Sequence, residues 1–134
     1  MFKNKYLTLL AAVALVIAVL SPVFYTGYSS IQHADSEFTA QNFAAASGHY
    51  QQAARLLFWR TDLWEKAGIA EYANKNYPAA ITLLNRQHTL TEQGWVALGN
   101  SYSNTGDTSS ALRSYQAGLR FYDSASLYTG LAFI

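Results

Sequence analysis

The sequence predicts an all-α protein: an N-terminal single transmembrane helix followed by a solenoid of stacked helical hairpins. Three observations carry that prediction. Residues Tyr6 to Gln32 contain no Asp, Glu, Lys or Arg. Aromatic, leucine and small residues then recur with a period near 30, the mark of a repeat array. Within a unit these residues are spaced by 3, 1 and 3, which puts them on one face of a helix and not on alternate faces of a strand.

The first element is the apolar run. Its central stretch, Tyr6 to Tyr28, is roughly 34 Å long as a helix at ~1.5 Å per residue. That length spans a hydrocarbon core of about 30 Å. Pro22 lies near its far end, where a neighbouring backbone group or water can make up for the missing donor. Phe24, Tyr25 and Tyr28 suit the outer interface, while Lys3 and Lys5 are expected to stay on the cytoplasmic side. A cleaved secretory signal also begins with lysines and an apolar run. Here the run is long for a signal core and no A-x-A-like site follows it, so a retained anchor is expected, with the folded part extracytoplasmic, in a bacterial periplasm or at a cell surface.

The repeats follow a short polar leader. Aligning Trp64–Leu84 with Trp95–Tyr115 at a shift of 31 superposes Trp64 on Trp95, Ala67 on Leu98, Gly68 on Gly99, Ala80 on Ala111, Ile81 on Leu112 and Leu84 on Tyr115. A shift of 33 brings Tyr128, Leu131 and Ala132 under Trp95, Leu98 and Gly99. Upstream, a shift of 27 places Tyr50 on Tyr77, Ala53 on Ala80 and Leu57 on Leu84. The chain is thus divided into a cytoplasmic segment at 1–5, a transmembrane helix at 6–28, a linker at 29–36 and repeats over 37–134. The units fall at about 37–61, 62–91 and 92–125, with the start of another at 126–134. The first helix of the first unit is expected around Phe38 to Ala46. The last unit lacks its second helix, so the chain is expected to continue past Ile134 or to have that apolar end covered by a partner.

Each hairpin follows from its residue types. Trp95, Leu98, Gly99 and Tyr102 form one helical face. Gly99 has no side chain, and Ala111 offers a small surface opposite, so two helices can approach closely. The Thr105-Gly106-Asp107 segment supplies a left-handed residue and then a capping side chain. Leu112, Tyr115 and Leu119 make the second helix amphipathic. One hairpin buries only part of its apolar surface, so the units must stack.

Trp95, Leu98, Gly99, Tyr102, Ala111, Tyr115 and Gly118 follow W-x2-L-G-x2-Y, then A-x3-F, then a small residue. The chain here resembles the tetratricopeptide repeat family. The middle unit matches at Trp64, Gly68 and Ala80, with Ala67 in place of leucine and the tyrosine one position late, at Tyr72. Gln87 and Asp123 stand where the family favours alanine and proline. The resemblance covers roughly Ser36 to Ile134. It implies a right-handed superhelix whose first helices line a concave groove for peptides or protein surfaces. The residues it places in that groove are Glu65, Ile69 and Tyr72, then Val96, Asn100 and Ser103. Asn100 stands where clamps for C-terminal carboxylates often carry asparagine, but Val96 occupies the place of their lysine; Ile69 and Tyr72 instead favour a more apolar partner surface.

Composition excludes several functions. Only 13% of residues are charged. Of nine Lys and Arg, two precede the apolar run, which leaves seven cations against eight carboxylates beyond it. So few cations assemble no phosphate-binding surface, and nucleic acid is not an expected partner. The absence of cysteine removes disulfides and thiolate metal sites. His33, His49 and His88 form no ligand motif and read as surface or turn residues. Asp62 and Glu65 read as an N-cap and the residue that bonds back to it. No nucleophile or phosphate-loop motif is present, and no cofactor, metal or enzymatic role is expected. Phe58, Trp59 and Trp64 are expected to fill the core of a helix junction, a docking patch or a face toward pigment or lipid being the other uses.

Two functional classes fit. One is a membrane-tethered adaptor that captures proteins outside the cytoplasm. The other is a small accessory subunit of an integral-membrane photosynthetic or respiratory complex, docked through its anchor, where Ala11, Ala14 and Ala18 follow helical spacing. The partners expected are therefore a protein, in particular of a membrane complex, and the lipid bilayer.

Overall fold

A computed structural model describes the backbone from Phe2 to Ile134 and the side chains from Asn4 onward. Met1, and the side chains of Phe2 and Lys3, lie outside the described residues, and with them part of the expected cytoplasmic segment. The described residues form seven helices and no strands: α1 (Phe2–Thr39), α2 (Phe43–Leu56), α3 (Asp62–Ala73), α4 (Tyr77–Leu84), α5 (Glu92–Asn104), α6 (Thr108–Leu119) and α7 (Ala125–Ala132). Each packs on its neighbours in the chain, and α5 also packs on both α3 and α7. The odd-numbered helices from α3 onward therefore share one side of the body.

α1 contains the apolar run and does not stop with it. It is 38 residues long, about 57 Å at ~1.5 Å per residue, and passes through Pro22 unbroken. By length and composition it is able to cross a membrane. Every side chain from Asn4 to Thr26 is exposed, and Gly27 is the first buried position. Residues 29–36, expected as a linker, are helical. The reason is a second apolar stripe: Ala34 is buried, and Ile31 and Phe38 pack beside it against α2. Extending an existing helix costs less than nucleating a new one. The final third of α1 is thereby the partner of α2, and the helix expected around Phe38–Ala46 is instead the end of α1, a turn and the start of α2.

That turn hides the first hairpin from a reading of local residue types. Gln41 has φ 62°, the Asn42 amide donates to Glu37 O at 2.8 Å and the Gln41 amide to Phe38 O at 3.0 Å. The same pair of bonds closes α3 onto α4 at Lys75 (φ 61°) and α5 onto α6 at Gly106 (φ 84°). These are Schellman closures. Only the third uses the glycine that advertises one. Asp107 then caps α6 by accepting from the Ser110 amide at 3.0 Å, whereas Asn42 and Asn76 make no side-chain cap.

The core has two parts. α1, α2 and α3 enclose Ala34, Ala46, Tyr50, Ala53, Leu57, Leu63 and Ala67, with Leu83 of α4. Around α5 lie Ala80, Leu84, Trp95, Leu98, Ala111, Tyr115 and Leu127. Close approach is visible where a glycine faces a large side chain. A Cβ at Gly68 would lie 2.6 Å from Leu84 Cγ, and one at Gly99 would overlap the edge of the Tyr115 ring. Of the expected packing residues, Gly68, Ala80, Trp95, Leu98, Gly99, Ala111 and Tyr115 are buried, and Tyr102 is half-buried. Trp64 is half-buried too, its ring covered by the Arg86 guanidinium at 4.1 Å from the centroid.

Candidate interaction groove

The side of the body shared by the end of α1 and by α3, α5 and α7 carries three adjoining depressions. The first, about 170 Å³, lies between Phe38, Tyr50, Lys66, Ile69 and Gln93. The second, about 370 Å³, shares Phe38, Ile69 and Gln93 with it and extends past Tyr72 to Val96 and Ser126. The third, about 420 Å³, continues from Val96 and Ser126 between α5 and α7, past Asn100, Ser103, Thr129 and Phe133. Five of the six predicted groove residues, Ile69, Tyr72, Val96, Asn100 and Ser103, line these depressions. Helical spacing predicts the grouping: 69 and 72, like 96, 100 and 103, follow one another at steps of three and four.

Glu65 is the exception. It is 7% exposed and lines none of the three depressions. Its Oε1 accepts from the Thr91 amide at 2.8 Å and the Thr91 hydroxyl at 2.5 Å, while that hydroxyl accepts from the Gly94 amide as the N-cap of α5. Nor does Glu65 bond back to its own helix start, as a capping pair with Asp62 requires. The N-cap of α3 is Thr61, which makes no side-chain cap, and Asp62 pairs with Arg60 at 2.9 Å through both of its oxygens. That guanidinium holds the Asp62 carboxyl below its ordinary range, against an opposing effect of burial. A second carboxylate repeats the device: Glu92 accepts from the hydroxyl of Ser124, the N-cap of α7, at 2.5 Å.

Asn100 sits in the middle of the groove but is held from both sides. Its amide nitrogen donates to the Tyr72 hydroxyl at 2.8 Å, and its carbonyl accepts from the Tyr115 hydroxyl at 2.5 Å. Burial, then the nearby Tyr72, raise the Tyr115 hydroxyl above its ordinary pKa. The groove floor is thus a neutral, mutually satisfied polar network under Ile69 and Val96, and it carries no free cation for a carboxylate. Charge gathers at the α1 end instead. There Asp35 accepts from the Tyr50 hydroxyl at 2.5 Å and lies 3.6 Å from Lys66 Nζ. Burial, reinforced by that bond to Asp35, pushes the Tyr50 hydroxyl strongly upward.

Two further groupings are not visible in the sequence. His33 of α1 and His49 of α2, expected as surface or turn residues, face each other with ring centroids 5.6 Å apart. His88 is exposed in the connection after α4. Among the described residues, no three His, Asp or Glu side chains come together as a metal site would require. Phe58 and Trp59, expected in the core, are 78% and 45% exposed. Trp59 lies 5.3 Å from Phe24 of α1 at a tilt of 44° and meets Phe58 edge-on at 5.1 Å, centroid to centroid. The junction core is filled instead by Leu57 and Leu63, both fully buried.

Compared with models of known protein families the chain matches none, and no curated protein matches it.

Proposed function

We propose that the protein is a membrane-anchored scaffold of the tetratricopeptide type, which binds an extended, largely apolar protein segment along the inner face of its repeats. The observation that carries this reading is the continuity of the three depressions from Phe38 to Phe133 across four helices. Their polar floor is already satisfied by Tyr72 and Tyr115, so what remains for a ligand is apolar surface at Phe38, Ile69 and Val96, with amide and hydroxyl groups at Gln93, Ser103 and Ser126. An enzyme would need an activated group pointing into this space, whereas Asn100 there is held by Tyr72 and Tyr115. The in-phase tryptophans and glycines and the packing of α5 on α3 and α7 support the repeat assignment. The exposed apolar surface of α1, far beyond what a soluble monomer leaves uncovered, supports the anchor. Lys3 and Lys5 before the run support a cytoplasmic N-terminus and extracytoplasmic repeats.

A photo-crosslinking residue at Val96, in cells, tests this. The expected product is a discrete heterologous adduct that disappears in an Ile69→Glu background and does not form from Leu112, which is exposed on α6. Adducts of equal yield from Val96 and Leu112 would defeat the groove.

One observation favours a second reading, an accessory subunit of a membrane complex. Ala11, Ala14 and Ala18 fall on one stripe of α1 that is exposed, with none of the described residues covering it. A crosslinker at Ala14 that traps one neighbouring transmembrane protein in near-complete yield, with none trapped from Val96, would select this reading over the adaptor.

A further inference from the structure

We infer that the loop joining α2 to α3 is a second membrane contact: Phe58 and Trp59 insert into the lipid headgroup layer beside α1. The inference rests on α1 spanning the bilayer, as proposed above.

The bare part of α1 sets the height of the loop. A hydrocarbon core of about 30 Å takes about 20 helical residues. Lys5 cannot enter that core without a large desolvation cost, so the core begins near Leu7 and its far boundary falls near Thr26. Thr26 is also the last residue of the exposed stretch, and packing against the body starts at Gly27. No length of helix is left over between the bilayer and the body. The residue packed on that first buried position is Leu57: a Cβ at Gly27 would lie 2.7 Å from its Cγ. The loop that follows Leu57 is therefore held at the outer boundary by its contact with α1.

The chemistry of the loop suits that layer. Trp59 lies against Phe24, and Phe58 projects beyond it with 78% of its surface exposed. Indole has an apolar body and one N–H donor, which favours the zone between acyl chains and water. The nearest charges do not oppose entry, because Arg60 closes on Asp62 with both bonds at 2.9 Å and the pair has no net charge. With Tyr25 and Tyr28 exposed on α1 at the same level, the aromatic belt of this protein is built from two elements of the chain. The occupant is lipid: the geometry fixes this loop against the bilayer boundary, and the body would have to detach from α1 to present it elsewhere.

The chain has no cysteine, so single-site spin labels test the contact directly. Purified full-length protein in phosphatidylcholine vesicles would carry one label at a time through Phe58→Cys, Leu15→Cys or Asn104→Cys, all at exposed positions. Relative accessibility to oxygen and to a water-soluble nickel chelate reports depth. The expected order is Leu15 deepest, Phe58 several-fold richer in oxygen relative to chelate than Asn104, and Asn104 fully aqueous. If Leu15 is deep but Phe58 matches Asn104, the loop contact is wrong and the membrane span stands. If Phe58 is shielded from both reagents, it lies against protein, and the lipid assignment is overturned. If Leu15 itself is aqueous, the span fails and the loop contact fails with it.

Discussion

The carboxylate of Glu65 on α3 accepts both the amide and the hydroxyl of Thr91, the residue that caps α5. Two successive hairpins are thereby joined by one side chain that is 7% exposed. Replacing it with alanine removes the acceptor of both Thr91 donors at a part-buried junction. Glu65→Ala is expected to lower unfolding free energy by about 2 to 3 kcal/mol, and Glu65→Gln, which keeps an acceptor, by about 1 kcal/mol. Thermal melts in mild detergent followed by circular dichroism check the order. Equal and negligible losses would show that the bond does not join the units.

The glycines of the hairpins divide into those that touch a neighbour and those that do not. Gly99→Ala would drive a methyl group into the buried Tyr115 ring and is expected to cost about 1 to 3 kcal/mol through overpacking. Gly48 is exposed within α2, and a methyl group there would meet nothing within 4 Å. Gly48→Ala is therefore expected to stabilise by about 0.5 to 1 kcal/mol through helix propensity and a less flexible unfolded chain. The same melts distinguish the two signs.

Tyr50 should impose an alkaline limit. Its folded pKa lies above the unfolded value of about 10, because burial and the bond to Asp35 both favour the neutral phenol. A group raised in the folded state stabilises fully below its unfolded pKa, and that contribution is lost as pH rises above about 10 toward the folded value. Stability of the wild type should fall above pH 10, and Tyr50→Phe should show a shallower fall from a lower starting point, by about 1.5 to 3 kcal/mol at neutral pH for a bond to a charged acceptor. Denaturant midpoints measured from pH 8 to 11 check this. Parallel pH profiles for the two proteins would remove Tyr50 as the cause.

Groove variants should separate binding from folding. Val96 and Ile69 are half-buried and flank the floor formed by Tyr72 and Asn100. Val96→Glu should abolish partner capture while shifting the melting temperature by only a few degrees, about 1 kcal/mol or less. Asn100→Ala strands the Tyr72 and Tyr115 hydroxyls and should cost about 1 to 3 kcal/mol in addition to any effect on binding. Retention of capture by Val96→Glu would place the binding surface elsewhere.

How far the sequence reveals this molecule depends on the range of each interaction. Helical periodicity within a dozen residues locates α3, α5 and α6, and the charge-free run locates the apolar part of α1. The need for close approach at Gly99 is readable too, though the side chain it meets is Tyr115, and helical spacing groups Ile69 with Tyr72 and Val96 with Asn100 and Ser103. The first hairpin is obscured because its turn uses Gln41 where a glycine signal is absent, and because its first helix is the tail of α1. Glu65 escapes local reasoning because its partner Thr91 lies 26 residues away and no local pattern encodes that distance. Trp59 escapes it for the complementary reason: hydrophobicity predicts burial, but only the arrival of α2 beside Gly27 decides whether the burial is in protein.

The uninterrupted course of α1 has a consequence for any client. If α1 spans the bilayer as proposed, its unbroken helix sets the height of the three depressions above the membrane. Phe38 lies twelve residues beyond Thr26, about 18 Å along the axis at ~1.5 Å per residue. A client segment rooted in the same bilayer needs at least five or six extended residues, at about 3.3 Å each, to climb that far. A shorter stalk could not reach the groove, so the mast-like helix would select its clients by tether length before any side chain is compared.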